Sequence, residues 1–184
     1  MNKIYRLWAL VITISVLAVG AVVANSNSPS SAEGGCAGKA YVTNESDDTV
    51  SVINTATNAV VGSAISVGIN PRGIAITPDG TKAFVANSGA DTVSVIDTAT
   101  NAVVGSPIGV GVGPFAIAVT PDGTKAYVTN TSSDTVSVIN TATNAVVGSP
   151  ILVGDGPLDI AICPAAVVPP TTPTDPAVVL KFTG

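Results

Sequence analysis

Apolar and polar residues alternate in short runs along most of the chain. In Thr49–Ile53 (TVSVI), Val50 and Val52 fall on one side of an extended strand and Ser51 and Ile53 on the other. The string Gly73–Thr77 (GIAIT) alternates isoleucine with alanine in the same way. Short β-branched runs between clusters of Gly, Pro, Asn and Asp predict β-strands. Apolar or small residues lie on both faces of these strands. A sheet with one wet face does not need that pattern; a sheet covered on both faces does.

The runs recur. The stretch Asp48–Ser63 (DTVSVINTATNAVVGS) returns as Asp91–Ser106 and as Asp134–Ser149, changed only at Asn54, Asp97 and Asn140. The period is 43 residues, the spacing from Ala40 to Ala83 to Ala126. Self-similarity at that period marks a repeat architecture. Each unit predicts four strands. The first ends in the turn TPDGTK, at 77–82 and 120–125, where Pro pre-sets one dihedral and Gly takes the left-handed position. The second covers Lys39–Thr43 and its copies at 82–86 and 125–129; the third begins at Thr49, Thr92 and Thr135. The fourth covers Ala59–Val67, Ala102–Val110 and Ala145–Val153, with a Gly-Ser pair that predicts a bulge or an edge. Four-stranded antiparallel sheets of this length, each packed on the next, describe an all-β chain of propeller blades. About three units occupy residues 39–163.

The strings Tyr41-Val42-Thr43-Asn44 and Tyr127-Val128-Thr129-Asn130, with TVSVI, TATN and GIAITPDG, resemble the YVTN β-propeller repeat. The middle unit departs slightly, as Phe84-Val85-Ala86-Asn87. That family includes surface-layer proteins of archaea and many exported bacterial proteins. The resemblance implies a propeller fold and an extracytoplasmic setting. It implies no activity, because the repeat motif is structural.

By analogy with that family, the strand before each PDG turn is the innermost of its blade. The array then begins out of phase, with the second, third and fourth strands of a blade. Two complete blades follow, and a lone inner strand, Leu158–Cys163, comes last. Three blades fall short of the roughly four to eight that close a ring. An open arc leaves two sheet faces bare, which forgoes up to ~9 kcal/mol of gross apolar stabilisation per end at ~25 cal/mol/Å². This predicts self-association, as a two-fold homodimer of six blades whose chains exchange their last strands. A fragment of a longer parent is the alternative. Cys163 stands where Thr77 and Thr120 stand in the other copies, and Cys36 where Asp79 stands. Those places are close enough in a hairpin for a disulfide across the seam. Unpaired or otherwise paired thiols remain open.

Composition changes this picture little. Charge is 10% and net charge −5, with no basic stripe, which argues against nucleic acid as a partner. Lys3 and Arg6 followed by the uncharged run Leu7–Val23 predict an export signal over residues 1–26, cleaved after Ala24 or Ser26. The alternative is an uncleaved anchor, the one route by which a membrane would be a partner. Residues 27–38 read as a flexible linker and 164–184 as a Pro/Thr-rich tail. The expected location is therefore secreted or cell surface.

The chain has no histidine, which excludes Ser-His-Asp and Cys-His catalysis and histidine metal sites. No catalytic, cofactor-binding or metal-ligating residue is expected. Asp79 and Asp122 in the PDG turns, and Asp48, Asp91 and Asp134 before the third strand, read as turn-forming carboxylates. Asn44 and Asn130 begin Asn-x-Ser triplets that fit glycosylation acceptors. The expected function is a non-enzymatic surface module that is structural or binds a protein or glycan. The alternative is a propeller subunit of an extracytoplasmic lyase or oxidoreductase.

Overall fold

Fourteen short strands form three antiparallel sheets in the computed structural model, which describes residues 36–164. The chain divides into two units, Met1–Ser31 and Ala32–Gly184, and every described residue lies in the second. The expected signal and most of the linker and tail therefore lie outside the described residues.

The first sheet comprises β1 (Lys39–Asn44), β2 (Thr49–Asn54), β3 (Ala59–Val60) and β4 (Ile65–Ser66). The second comprises β5 (Pro71–Ile76), β6 (Lys82–Asn87), β7 (Thr92–Asp97), β8 (Ala102–Val103) and β9 (Ile108–Gly109). The third repeats the second, with β10 (Pro114–Val119), β11 (Lys125–Asn130), β12 (Thr135–Asn140), β13 (Ala145–Val146) and β14 (Ile151–Leu152). The expected fourth strand is present in two pieces. In the first sheet β3 pairs with Ile53 and Asn54, and β4 pairs with Thr49 and Val50. Gly62, at φ +68°, turns the chain between them. The Gly-Ser pair thus lies in a two-residue excursion that interrupts an outer strand, where a broken ladder still meets water.

The missing strand is where the repeat phase puts it. Among the described residues the first sheet has no inner strand, and Leu158–Cys163 forms no ladder.

Burial follows the two-sided pattern. One face of each sheet packs on the next. Tyr41, Val50, Val52 and Ile65 of the first sheet meet Ala83, Val85 and Ile96 of the second. Phe84, Val93, Val95 and Ile108 of the second meet Ile117, Ala126, Val128 and Ile139 of the third. In the middle sheet Phe84, Val85, Val93 and Ile96 are all fully buried, so both of its faces are interior.

Polar groups fix the stacking. Lys39 Nζ donates to the Thr98 carbonyl at 2.8 Å, and Tyr41 Oη donates to Asn101 Oδ1 at 2.9 Å. One repeat on, Lys82 Nζ donates to the Thr141 carbonyl at 2.7 Å and to Asn144 Oδ1 at 3.1 Å. Burial holds the Tyr41 hydroxyl pKa above its ordinary value, reinforced by Cys36 and Asp97 nearby, so the hydroxyl remains a donor.

The turns use the aspartates as expected. Gly80 and Gly123 sit at φ +69° and +72°. Asp79 Oδ1 accepts from Thr77 Oγ1 at 2.5 Å and from the Thr81 N–H at 3.0 Å, and Asp122 repeats both bonds. Asp48, Asp91 and Asp134 each accept a backbone N–H at 2.8 Å, from Asn70, Gly113 and Gly156, and so tie the start of β2, β7 and β12 to the link that leaves the same blade.

At Asp79, Asp122 and Asp97 the hydrogen bonds favour the charged carboxylate. The Thr77 hydroxyl, then the Thr81 N–H, lower the Asp79 pKa; the Thr120 hydroxyl does the same for Asp122, and the Thr100 N–H for Asp97. A carboxyl lowered on folding contributes stability that is complete above its unfolded value. That stability is lost as pH falls through the folded value. The urea midpoint should therefore hold from neutral pH down towards the ordinary aspartate value of 3.8 and decline below it. Asp79→Asn should flatten part of that decline.

Candidate functional site

A cleft of about 540 Å³ opens where the inner strands begin, lined by Thr43, Glu45, Arg72, Phe115, Leu158 and Asp159 among others. Its floor is set by close backbone approach. A Cβ on Gly73 would lie 2.5 Å from the Phe115 carbonyl oxygen, so β5 and β10 meet this closely only with glycine there. Thr43 Oγ1 donates to the Arg72 carbonyl at 2.7 Å, which holds β1 against β5.

Three side chains organise the cleft. Arg72 Nη2 donates to Glu45 Oε1 at 2.7 Å, and both partners are partly exposed. The Arg72 guanidinium also lies 4.9 Å from the centre of the Phe115 ring, a cation–π distance. The bond to Glu45 leaves Arg72 further N–H donors, because a guanidinium has five. The cleft therefore offers a planar cation, an aromatic face, two carboxylates and the apolar Leu158.

Arg72, Phe115 and Leu158 are the same repeat position, as are Gly73, Ala116 and Asp159. Glu45, Ser88 and Thr131 form a third such set. The copies thus differ around this opening, as they also do in the loops at 46–47, the outer strand at 64 and 66 and the link at 69–70. None of these positions stands out by motif. The signal that finds them is position-by-position comparison of the repeats, which picks them out together with the variable loop and link positions.

The residues expected from sequence lie elsewhere. Cys36 is half-buried and Cys163 exposed, and both thiols are free within the single chain. Asn130 is fully buried, with Nδ2 donating to Thr135 Oγ1 at 3.0 Å and Ser137 Oγ at 2.9 Å. A glycan on that nitrogen would displace both bonds inside a packed sheet, so the folded chain has no room for one there. Asn44 makes the equivalent bonds to Thr49 and Ser51, at 3.0 and 2.8 Å, in a half-buried setting. The triplet pattern overlooked a strand-end role that uses the same amide. Among the described residues, no three His, Cys, Asp or Glu side chains gather as a metal set.

A model of the YNCE-like β-propeller family matches residues 3–123. The chain belongs to the YNCE-like β-propeller family. Its three sheets are blades. The propeller is similar to hydrazine synthase of Kuenenia stuttgartiensis, with 30% identity and a TM-score of 0.63 over 68% of this chain and 36% of that one. It is similar to a functionally unknown protein from Desulfotomaculum acetoxidans, with 27% identity and a TM-score of 0.53 over 68% and 43%. A putative 6-phosphogluconolactonase from Bacteroides fragilis shares 22% identity at a TM-score of 0.55, over 66% of this chain and 38% of that one, and shows the fold alone. The chain spans less than half the length of each of these structures. No curated protein matches it.

Proposed function

We propose that the chain is an exported, non-enzymatic propeller of the YVTN surface-layer type, a structural or binding module at the cell surface. The observation that carries this reading is the cleft itself, where repeat positions that vary between copies bring a guanidinium, an aromatic ring and two carboxylates together. Arg72, Phe115, Leu158, Glu45 and Asp159 all line it. A guanidinium beside an aromatic face suits a polar planar or saccharide surface, and so a protein or glycan ligand. The absence of histidine from the sequence removes the commonest acid–base group. Lys3 and Arg6 ahead of the uncharged run Leu7–Val23 support export.

Expression of the full chain in a bacterial host tests the location. The product should reach the extracytoplasmic fraction with a new N-terminus at Asn25 or Asn27. A cytoplasmic product retaining Met1 overturns the export reading. Binding is tested on a printed glycan array, where Arg72→Ala and Phe115→Ala should each abolish any signal that the native chain gives. A signal unchanged by both substitutions moves the ligand site away from the cleft.

A second reading is favoured by one observation, the similarity to hydrazine synthase at 30% identity. On that reading the propeller is a subunit of an extracytoplasmic oxidoreductase. Metal analysis and an absorption spectrum of the purified protein separate the two. A stoichiometric metal or a visible chromophore supports the subunit reading, and a featureless spectrum with no metal supports the surface module.

A further inference from the structure

The two ends of the arc are halves of a contact that the chain already makes twice. At each internal junction, the Lys and Tyr/Phe face of one blade closes on the Val/Ile face of the next. The third blade ends on the first kind of face, and no described blade lies against it. Lys125 and Tyr127 repeat Lys39 and Tyr41, yet Lys125 is exposed and neither polar tip has a partner among the described residues. Ile151 repeats Ile65 and Ile108, which are 8% and 7% exposed, but is itself 47% exposed.

The first blade begins on the complementary face. Val42 is 42% exposed, where its counterparts Val85 and Val128 are fully buried. Thr55 and Asn58 are exposed, where Thr98 and Thr141 are buried and Asn101 and Asn144 half-buried. The acceptors that Lys39, Tyr41 and Lys82 use are therefore free at this end, in the same residue types. The terminal faces match each other residue for residue as the internal ones do.

We propose that a second copy of this chain docks head to tail on the arc. Lys125, Tyr127 and Ile151 of one copy close on Asn58, the Thr55 carbonyl and Val42 of the other. Two such contacts close a ring of six blades, within the roughly four to eight that propellers use; three copies would give about nine, outside it. The proposal rests on the fold and stands whether or not the propeller serves a surface role.

Strand exchange completes the first blade. In the second blade Pro71 pairs with Asn87, Ile74 with Val85, Ala75 with Phe84 and Ile76 with Ala83, and the third blade repeats this register. One repeat on, Pro157 of one copy lies opposite Asn44 of the other, Ile160 opposite Val42, Ala161 opposite Tyr41 and Ile162 opposite Ala40. Cys163 then takes the place of Thr77, and Cys36 that of Asp79. In both complete blades these two side chains touch, Thr77 to Asp79 and Thr120 to Asp122, each at 2.5 Å. The seam replaces that hydrogen bond with a pair of thiols. An S–S bond forms there when a small-molecule disulfide such as oxidised glutathione accepts two electrons and two protons and leaves as two thiols.

The test is native mass spectrometry of the full chain at micromolar concentration, reduced and after oxidised glutathione. A two-chain mass is expected in both conditions, covalent only after oxidation. Val42→Asp and Ile151→Asp each alter an exposed residue and should each give a folded monomer. Mixing the two variants restores one intact contact, so a two-chain species should return. Cys36→Ser and Cys163→Ser should each give no covalent pair alone and a covalent pair when mixed and oxidised. A native chain that remains monomeric overturns the docking. A dimer that survives Val42→Asp or Ile151→Asp overturns the surface, and higher oligomers without a two-chain species overturn the six-blade closure. Failure of the mixed cysteine variants to cross-link overturns the seam.

Discussion

Phe84→Ala is expected to destabilise the chain by roughly 3–5 kcal/mol, enough to unfold much of it at room temperature. Phe84 is fully buried at the centre of the larger core cluster, between Val93, Val95 and Ile108 of its own blade and Ala126, Val128 and Ile139 of the next. Truncation removes a ring and leaves a void between two rigid sheets that cannot collapse into it. The same substitution one repeat later supplies the control. Tyr127 occupies the equivalent position but faces no following blade and is only half-buried. In the Ile151→Asp background, Tyr127→Ala should cost well under half as much. Urea unfolding of both variants at one protein concentration, with reductant, checks the contrast. Equal costs would mean that the two residues do not face different surroundings, and the stacking order would be wrong.

The stacking order was legible because the repeat printed it three times. Identical copies of TVSVI with apolar residues at both parities demand neighbours on both faces, and Val93, Val95 and Ile96 are indeed buried on opposite sides of one strand. The phase of the array was legible too. A PDG turn links β5 to β6 and β10 to β11, and Cys36 begins the described chain where the first such turn would stand.

Other features were beyond the pattern. The outer strand reads as one apolar run, Ala59–Val67. Whether a Gly-Ser pair bends it or breaks it depends on whether its outer edge is covered, and Val60 is 65% exposed. The cleft was hidden for a different reason. Arg72, Glu45 and Phe115 belong to two blades and a loop, and only the approach of β5 to β10 at Gly73 brings them together. Burial tells against a glycan at Asn130 alone, since Asn-x-Ser reads the same on a loop and at a strand end. At Asn130 the amide belongs to the sheet.

That strand-end asparagine yields the second large effect. Asn87→Ala is expected to cost roughly 2–4 kcal/mol, from buried polar groups left without partners. Asn87 is fully buried. Its Nδ2 donates to Thr92 Oγ1 at 3.2 Å and Ser94 Oγ at 2.9 Å, and its Oδ1 accepts from the Gly68 N–H at 3.2 Å. One amide thus links two strands of a blade to the segment arriving from the blade before. The arrangement also explains the glycine, because a Cβ on Gly68 would lie 2.6 Å from the Asn87 side chain. The other copies lack part of this set. Gly111 donates to Ser137 Oγ instead, at 3.3 Å, which leaves Asn130 Oδ1 without a partner among the described residues. Asn44 keeps its bonds to Thr49 and Ser51, but it stands at the open end, where water reaches it. In the Ile151→Asp background the costs should therefore rank Asn87→Ala above Asn130→Ala, with Asn44→Ala smallest. Urea midpoints that placed Asn44→Ala level with Asn87→Ala would show that the motif asparagine acts within its own blade alone. The junction between blades would then owe nothing to it.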